Sequence, residues 1–215
     1  MKVLIVGANG KIGTILSERL SQEENFEPLA MIRKEEQKEK FDQLGISTIQ
    51  GDLSDSVEEL EKVVKKSDAV VFTAGSGGGT GAEKTLEIDL DGAVKTALAA
   101  EKANVKRFVL VSAAGADDRS FWSKSGIKPY YVAKHFADEA LKNSALDYTI
   151  LRPTRLTDDS GKGKIKVGKS PADLNNEIAR EDVANTILEV LKNEKSSKHK
   201  VIEFSQGETA IAEAI

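Results

Sequence analysis

The 215-residue sequence has no cysteine, which excludes disulfides, thiolate nucleophiles and cysteine-held zinc. Its two histidines, His135 and His199, sit far apart among lysines. They lack metal-ligand spacing, so both are read as surface histidines and no metal site is expected. No excess of positive charge exists either. The formal net charge of -4 offers no basic field to gather phosphates, which argues against a nucleic-acid binder while leaving room for a local site for one phosphate. Long apolar runs are also missing. After Met1 and Lys2, "VLIVGA" ends at Asn9 and Lys11, short of the about 7–15 apolar residues of a signal peptide core. No stretch is long enough to span a bilayer. Prolines number only 4, against 40% hydrophobic and 31% charged residues, the balance of a soluble globular protein. The expectation is a cytoplasmic protein with a small-molecule substrate, no membrane or nucleic-acid partner, and a monomeric or small homo-oligomeric state.

What is present is a regular alternation. "KVLIV", "PLAMI", "STIQ", "DAVVFTA", "VKRFVLVSA", "DYTILRP" and "KVIEF" read as strands. Between most of them lie segments with helical spacing, such as "KIGTILSERLSQ", "SVEELEKVVKK", "EIDLDGAVKTALAAEKA", "PYYVAKHFADEALKNS" and "AREDVANTILEVLKN". Apolar runs without polar alternation suit strands buried on both faces, with the helices as cover. Repeated βα units of this kind predict an α/β fold: a doubly wound parallel sheet of about seven strands with helices on both faces. No linker divides the chain, so residues 1–215 are read as one domain. Segments 75–81, 114–127 and 154–176 look irregular. Each follows a strand and is placed at the carboxyl edge of the sheet, where open α/β folds bind ligands; 114–127 and 154–176 are the candidate substrate-side loops.

"VLIVGANGKIGTIL" sets Gly7, Gly10 and Gly13 between the first strand and the first helix. Gly7 permits a tight turn, Gly10 lets backbone approach a pyrophosphate, and Gly13 allows close packing of helix on strand. The helix amino terminus adds free N–H groups and its positive dipole end, so Asn9, Gly10, Lys11 and Ile12 are candidate phosphate contacts. Strand before and helix after make this a Rossmann-type dinucleotide site. At the end of the second strand an NAD enzyme usually places a carboxylate for the ribose 2′-hydroxyl. Here Arg33 and Lys34 stand instead, and a guanidinium pairs with a 2′-phosphate. NADP is therefore favoured over NAD.

The motifs "GANGKIG", "GDLSD", "VKRFVLVSAAG", "YYVAKHFADEAL", "LDYTILRPT" and "AREDVANTILEVL" occur in this order along nearly the whole chain. Together they resemble the atypical short-chain dehydrogenases/reductases with a single NAD(P)-binding domain, relatives of NmrA-like proteins, flavin reductases and sugar-nucleotide epimerases. The resemblance implies that Asp52 and Leu53 flank the adenine; the other reading of Asp52, an acid opening the next helix, stays open. It implies that Ala74, Gly75 and Ser76 run along the cofactor, with Gly77 to Gly79 a flexible loop. Ser112 would lie near the nicotinamide, and Pro153 and Thr154 against its face. Arg152 and Pro153 have a plainer reading as strand termination. Phe121 and Trp122 either stack on a planar substrate or cap the core, and the lysines of "GKGKIKVGK" read as an exposed hairpin.

In that family a tyrosine gives a proton to the substrate carbonyl as hydride arrives, and a lysine one helical turn on holds the ribose and lowers the tyrosine pKa. Tyr130 and Lys134 fit on one helix face, with Ser112 as the third catalytic candidate. Tyr131 beside Tyr130 leaves open which ring faces the cofactor. Extended relatives usually carry the serine about two residues past the first serine of the fifth-strand motif, where this sequence has Ala114. Only residues 154–215 follow "LRP", too few for a large sugar-nucleotide substrate region. The implied function is an NADP(H)-dependent oxidoreductase of a small carbonyl, quinone or flavin-like substrate. The alternatives are a non-catalytic NADP-binding sensor of the NmrA type and an epimerase-like enzyme.

Overall fold

An apolar run without polar alternation is stable as a strand only where both faces are covered. The computed structural model, which describes residues 1–215, gives these runs that setting, except at the sheet edge, where residues 47–50 are half-buried or exposed. β1 (Lys2–Val6) leads into α1 (Lys11–Ser21), β2 (Glu27–Ile32), β3 (Ser47–Gln50), α2 (Val57–Val64) and β4 (Ala69–Phe72). A long helix α3 follows in three pieces: Gly81–Lys84, the π-helical Thr85–Gly92, and Ala93–Lys102. Next come β5 (Arg107–Val111), α4 (Arg119–Lys124), α5 (Lys128–Lys142) and β6 (Asp147–Pro153). β7 (Arg155–Thr157), β8 (Lys164–Gly168) and β9 (Glu177–Ala179) precede α6 (Arg180–Lys192), β10 (Lys200–Gln206) and β11 (Thr209–Ala210).

The main sheet has nine strands in the order β11-β8-β10-β6-β5-β4-β1-β2-β3. Every pairing from β3 across to β10 is parallel, and those strands are the seven apolar runs of the sequence. The order reverses between β1 and β4, the switch point at which a doubly wound sheet opens a crevice. One side of the sheet is covered by α1 and α6 through Ile12, Leu16, Leu20, Val183 and Ile187. The other is covered by α2, α3 and α5 through Leu60, Val64, Ala97, Ala100 and Leu141.

Two segments differ from the sequence reading. Residues 154–176 are not wholly irregular, because β8 pairs antiparallel with β10 and β11 pairs antiparallel with β8. Ile165 of "KIKVG" explains it: it is buried in the core between the exposed Lys164 and Lys166, as alternate side chains of a pleated strand are, although Val167 also stays exposed. β7 forms a separate parallel pair with β9. In 114–127, the carboxylate of Asp118 accepts from the N–H groups of Ser120 and Phe121 and starts α4, an ordinary N-cap.

Arg152 does more than end β6. Its guanidinium is 2% exposed and donates from Nε to Asp138 (2.9 Å) and from Nη1 to Glu203 (3.1 Å) and Asp117 (2.8 Å). It thereby ties β6 to α5, β10 and the segment after β5. Burial pushes the Asp138 and Glu203 carboxyls above their ordinary values, against the pull of Arg152. Breaking one side of such a buried cluster costs about 3–5 kcal/mol. Arg152→Leu should therefore lower Tm by roughly 6–20 °C at neutral pH, taking about 2–4 °C per kcal/mol for a chain of this size. The unpaired carboxyls would take protons still more readily in the folded variant than in its unfolded chain. The deficit is thus full at neutral pH and shrinks on acidification. Thermal melts of both proteins across acidic to neutral pH check this; a deficit that grows on acidification contradicts it.

Candidate cofactor and active site

The turn after β1 is built by steric exclusion. Gly7 has φ of +87°, and a Cβ there would lie 2.6 Å from the Ala74 nitrogen, so only glycine fits between β1 and the end of β4. A Cβ on Gly13 would lie 2.7 Å from the Ala8 Cα, which seats α1 on the turn. Gly10 is different: a Cβ there would meet only the Gly7 carbonyl oxygen, at 3.2 Å, so its outer side is open. Gly10 is also the N-cap of α1 and supplies no side-chain cap, and the first turn carries no acid. The first N–H groups of α1 are therefore uncapped at the cleft floor, ready for an anion.

From this turn a cleft runs along the carboxyl edge of the sheet as two adjoining pockets. The first, about 660 Å³, is lined by Gly10, Lys11, Ile12, Ser112, Tyr130 and Lys134, among others. The second, about 580 Å³, is lined by Gly7, Asn9, Arg33, Asp52 and Leu53, among others. Ala74, Gly75 and Ser76 form the shared wall. The cleft thus gathers most of the candidates named from the sequence. Pro153 and Thr154 lie apart from it: Pro153 ends β6, and the Thr154 N–H donates to the Phe204 carbonyl of β10 (3.0 Å).

In the second pocket, the side-chain oxygen of Gln37 accepts from the N–H groups of both Arg33 and Lys34 (2.9 and 3.1 Å). This fixes the turn from which the Arg33 guanidinium projects. Asp52 does not open the next helix, whose N-cap is Ser56; it holds the turn before it. Its carboxylate accepts from the Ser54 N–H and hydroxyl, both at 2.9 Å, and it also lines the pocket. Burial pushes its carboxyl up, but the Ser54 hydrogen bonds and the charge of Arg33 outweigh this and hold it below the usual range.

In the first pocket, α5 presents Tyr130 and Lys134 side by side, with the lysine Nζ 5.6 Å from the phenol ring centroid. Lys134 is buried; its Nζ pairs with Asp89 Oδ1 at 3.0 Å and donates to the Val111 carbonyl at 3.2 Å. Burial works against the ammonium, yet Tyr130 and Asp89 hold its pKa above the ordinary value. The tyrosine departs from the sequence expectation. Burial is the largest influence, and Asp89 and Asp138 add to it, so the Tyr130 pKa lies above its ordinary value despite Lys134.

Asp89 was not among the residues singled out from the sequence. It belongs to the π-helical part of α3, a form that recurs at functional sites, and is buried in a stripe with Thr85, Gly92, Ala93 and Thr96. The available signal was an acid at helical spacing within that stripe. Its second oxygen accepts from the Ser76 N–H (3.0 Å). Arg180, the first residue of α6, also lines the cleft and pairs with Asp158 at 2.6 Å, as does Lys11.

Ser112 is buried, its hydroxyl unpartnered beside the Asp138 carboxyl. Ala114 is buried as well, and no second hydroxyl follows Ser112. Tyr130 rather than Tyr131 lines the cleft. The Tyr131 ring packs edge-on against Phe121 (5.3 Å), and burial pushes its phenol up to about 12. Trp122 is buried and donates from Nε1 to the Gly115 carbonyl (2.9 Å). Phe121 and Trp122 therefore cap the core and α5; neither lines the cleft.

A family model described as NAD(P)H-binding matches residues 7–194. The chain is 44% identical over 216 residues to the uncharacterized sugar epimerase YhfK of Bacillus subtilis, covering 100% of this chain and 99% of that one. It is 42% identical to the UPF0659 protein YMR090W of Saccharomyces cerevisiae, covering 96% and 94%. A solved protein of Bacillus halodurans, described as an NAD-dependent epimerase/dehydratase, superposes with a TM-score of 0.90 at 39% identity, covering 100% of this chain and 98% of that one. More distant matches are the sanguinarine reductase of Eschscholzia californica, 26% identical over 100% of this chain and 92% of that one, and the anaerobillin reductase ChuY of Escherichia coli O157:H7. The latter superposes with a TM-score of 0.81 at 25% identity, covering 97% and 98%. No helix is long and apolar enough to cross a membrane. With the glycine turn, the switch-point cleft and the Tyr130–Lys134 pair in place, this chain belongs to the NAD(P)H-binding family of atypical short-chain dehydrogenases/reductases.

Proposed function

We propose that the protein is an NADPH-dependent reductase of a small carbonyl, quinone or flavin-like acceptor. The observation that carries this reading is the placement of Tyr130, Lys134 and Ser112 around one pocket that opens onto the uncapped amino terminus of α1. The residues fit a dinucleotide. The α1 N–H groups and Gly10 suit a pyrophosphate, and Asp52 and Leu53 suit an adenosine. Lys134, which lines the same pocket, would hold the nicotinamide ribose. When bound, the nicotinamide supplies a hydride. The chain's own part is to hold the acceptor over the wall of the first pocket and deliver a proton from the Tyr130 hydroxyl, with Ser112 donating a hydrogen bond to the acceptor oxygen.

NADP is preferred over NAD on the strength of Arg33. It lines the second pocket just past β2, the position at which an NAD enzyme usually carries a carboxylate, and a charge-assisted pair with a 2′-phosphate stabilises by about 1.5–3 kcal/mol. Arg33→Ala should weaken NADPH binding by roughly 10- to 100-fold and leave NADH binding within about threefold, as read by calorimetric titration. Equal losses for both cofactors would remove the assignment.

Reductase names among the more distant relatives support the activity, whereas more similar relatives carry epimerase names, and both groups match this chain over nearly their whole length. Chain length therefore does not separate the two activities. The deciding experiment follows NADPH oxidation at saturating cofactor against quinones, flavins and aldehydes, beside nucleotide sugars as epimerase substrates. Turnover of a carbonyl or quinone that drops about 10²–10⁴-fold in Tyr130→Phe supports the reductase. Sugar interconversion without net NADPH consumption points to the epimerase. Tight NADPH binding with no turnover on any of them leaves a binding protein of the sensor type.

A further inference from the structure

Lys134 has a partner that the phenol beside it must compete with. The Asp89 carboxylate is 1% exposed and held from both sides, by the Lys134 ammonium at 3.0 Å and by the Ser76 N–H at 3.0 Å. It cannot swing away without losing both bonds. Gly75 closes over it so tightly that a Cβ there would sit 3.1 Å from Asp89 Oδ1. A cation and an anion held this close act on a third group largely as a dipole, so the field of Lys134 at Tyr130 is reduced.

We propose that Asp89 is a positioning residue that clamps the Lys134 ammonium and offsets its charge, so that Tyr130 rests as a phenol instead of a phenolate. This deepens the reductase reading and rests on it for its chemical meaning. In the reductive direction, a hydride carries two electrons to the acceptor carbon. The Tyr130 O–H bond breaks to protonate the acceptor oxygen, and solvent restores the proton to the phenolate. Only the protonated phenol can perform that step, so Asp89 keeps the donor loaded into the alkaline range and biases the site towards reduction. The charged and titratable groups facing Tyr130 are Lys134 and Asp138 from α5 and Asp89 from α3. The Tyr131 ring stands beside it at 5.4 Å, and Ser112 of the β5 end shares its pocket. Of these, Asp89 alone is bonded to the lysine.

The test is an ultraviolet titration of tyrosine ionisation, with Tyr130→Phe in each background to isolate the Tyr130 component. Asp89→Asn keeps the shape and removes the offset. Its Tyr130 component should move about 1–3 pH units lower than in the wild type, the range for a newly unscreened neighbouring charge. The double variant Asp89→Asn with Lys134→Met removes both charges, and its Tyr130 should return to within about one unit of the wild type. An unchanged or raised Tyr130 in Asp89→Asn overturns the proposal. So does a double variant whose Tyr130 rises by more than about one unit, because the lysine would then have been acting unopposed. The double variant alone decides the matter should Asp89→Asn not fold. No turnover enters this measurement. A protein that shows the shift but reduces nothing loses the reductase reading and keeps the Asp89–Lys134 coupling.

Discussion

A parallel sheet covered on both faces leaves water only at its two ends, and that constraint organises this molecule. β1, β4 and β5 are buried along their length, so polar chemistry is confined to the residues just past their carboxyl ends. Gly7, Ala74 and Ser112 are those residues on the three strands. The cleft is thus a consequence of strand order. The reversal between β1 and β4 separates their following segments, and helices on opposite faces diverge from the gap. What the sequence adds is the steric exclusion at Gly7, which brings the end of β4 to within a Cβ's width of the turn.

The same burial forces each cation that enters the interior to find an arrangement, since an unpaired buried charge costs several kcal/mol. The chain uses three. Arg107 donates to neutral oxygens, the Asp147 and Val190 carbonyls and the Thr149 and Ser197 hydroxyls, and burial holds it down to about 10. Arg152 takes carboxylates from three segments and acts as a tie between them. Lys134 combines one carboxylate with one carbonyl. Of the three, only Lys134 borders the cleft, and there it stands beside Tyr130, the candidate acid.

How much was legible follows from how each feature is encoded. The seven parallel strands and the phosphate turn were readable because they depend on local pattern: apolar runs of strand length, and glycines at positions that exclude a Cβ. β8 was obscured by its lysines, which make a strand with a single buried residue, Ile165, look like a solvated hairpin. Arg152 was read as the end of a strand because its three carboxylates come from positions 117, 138 and 203, and no spacing rule connects those. Asp89 was hidden for the same reason. Its pairing with Lys134 spans 45 positions and exists only because α3 and α5 pack against each other. Tyr130 and Lys134 showed as a pair because one helical turn joins them, but the upward shift of the phenol comes first from its burial, with Asp89 and Asp138 adding to it, and none of these is visible in that spacing.

That division between local and distant encoding also separates the two halves of the cleft. The cofactor half is recognised largely by backbone: uncapped N–H groups, glycines without Cβ, and a turn fixed by Gln37. Reductase and epimerase names occur together among the relatives, and a cofactor half built from backbone is compatible with either. Beyond the phosphate turn, the first pocket holds Gly77 to Gly79, Gly81, Gly126, Ile127, Pro129 and Leu156 beside the polar Ser76, Thr85, Asp89, Ser112, Tyr130, Lys134 and Arg180. Several of these polar groups are already engaged within the fold: Asp89 by Lys134 and the Ser76 N–H, Thr85 by the Gly81 carbonyl, and Arg180 by Asp158. A sugar is recognised through many hydrogen bonds, and a site that leaves them unmade discriminates poorly. Which of these groups a substrate can claim from its partner within the fold is therefore the physical question that separates the proposed reductase from an epimerase.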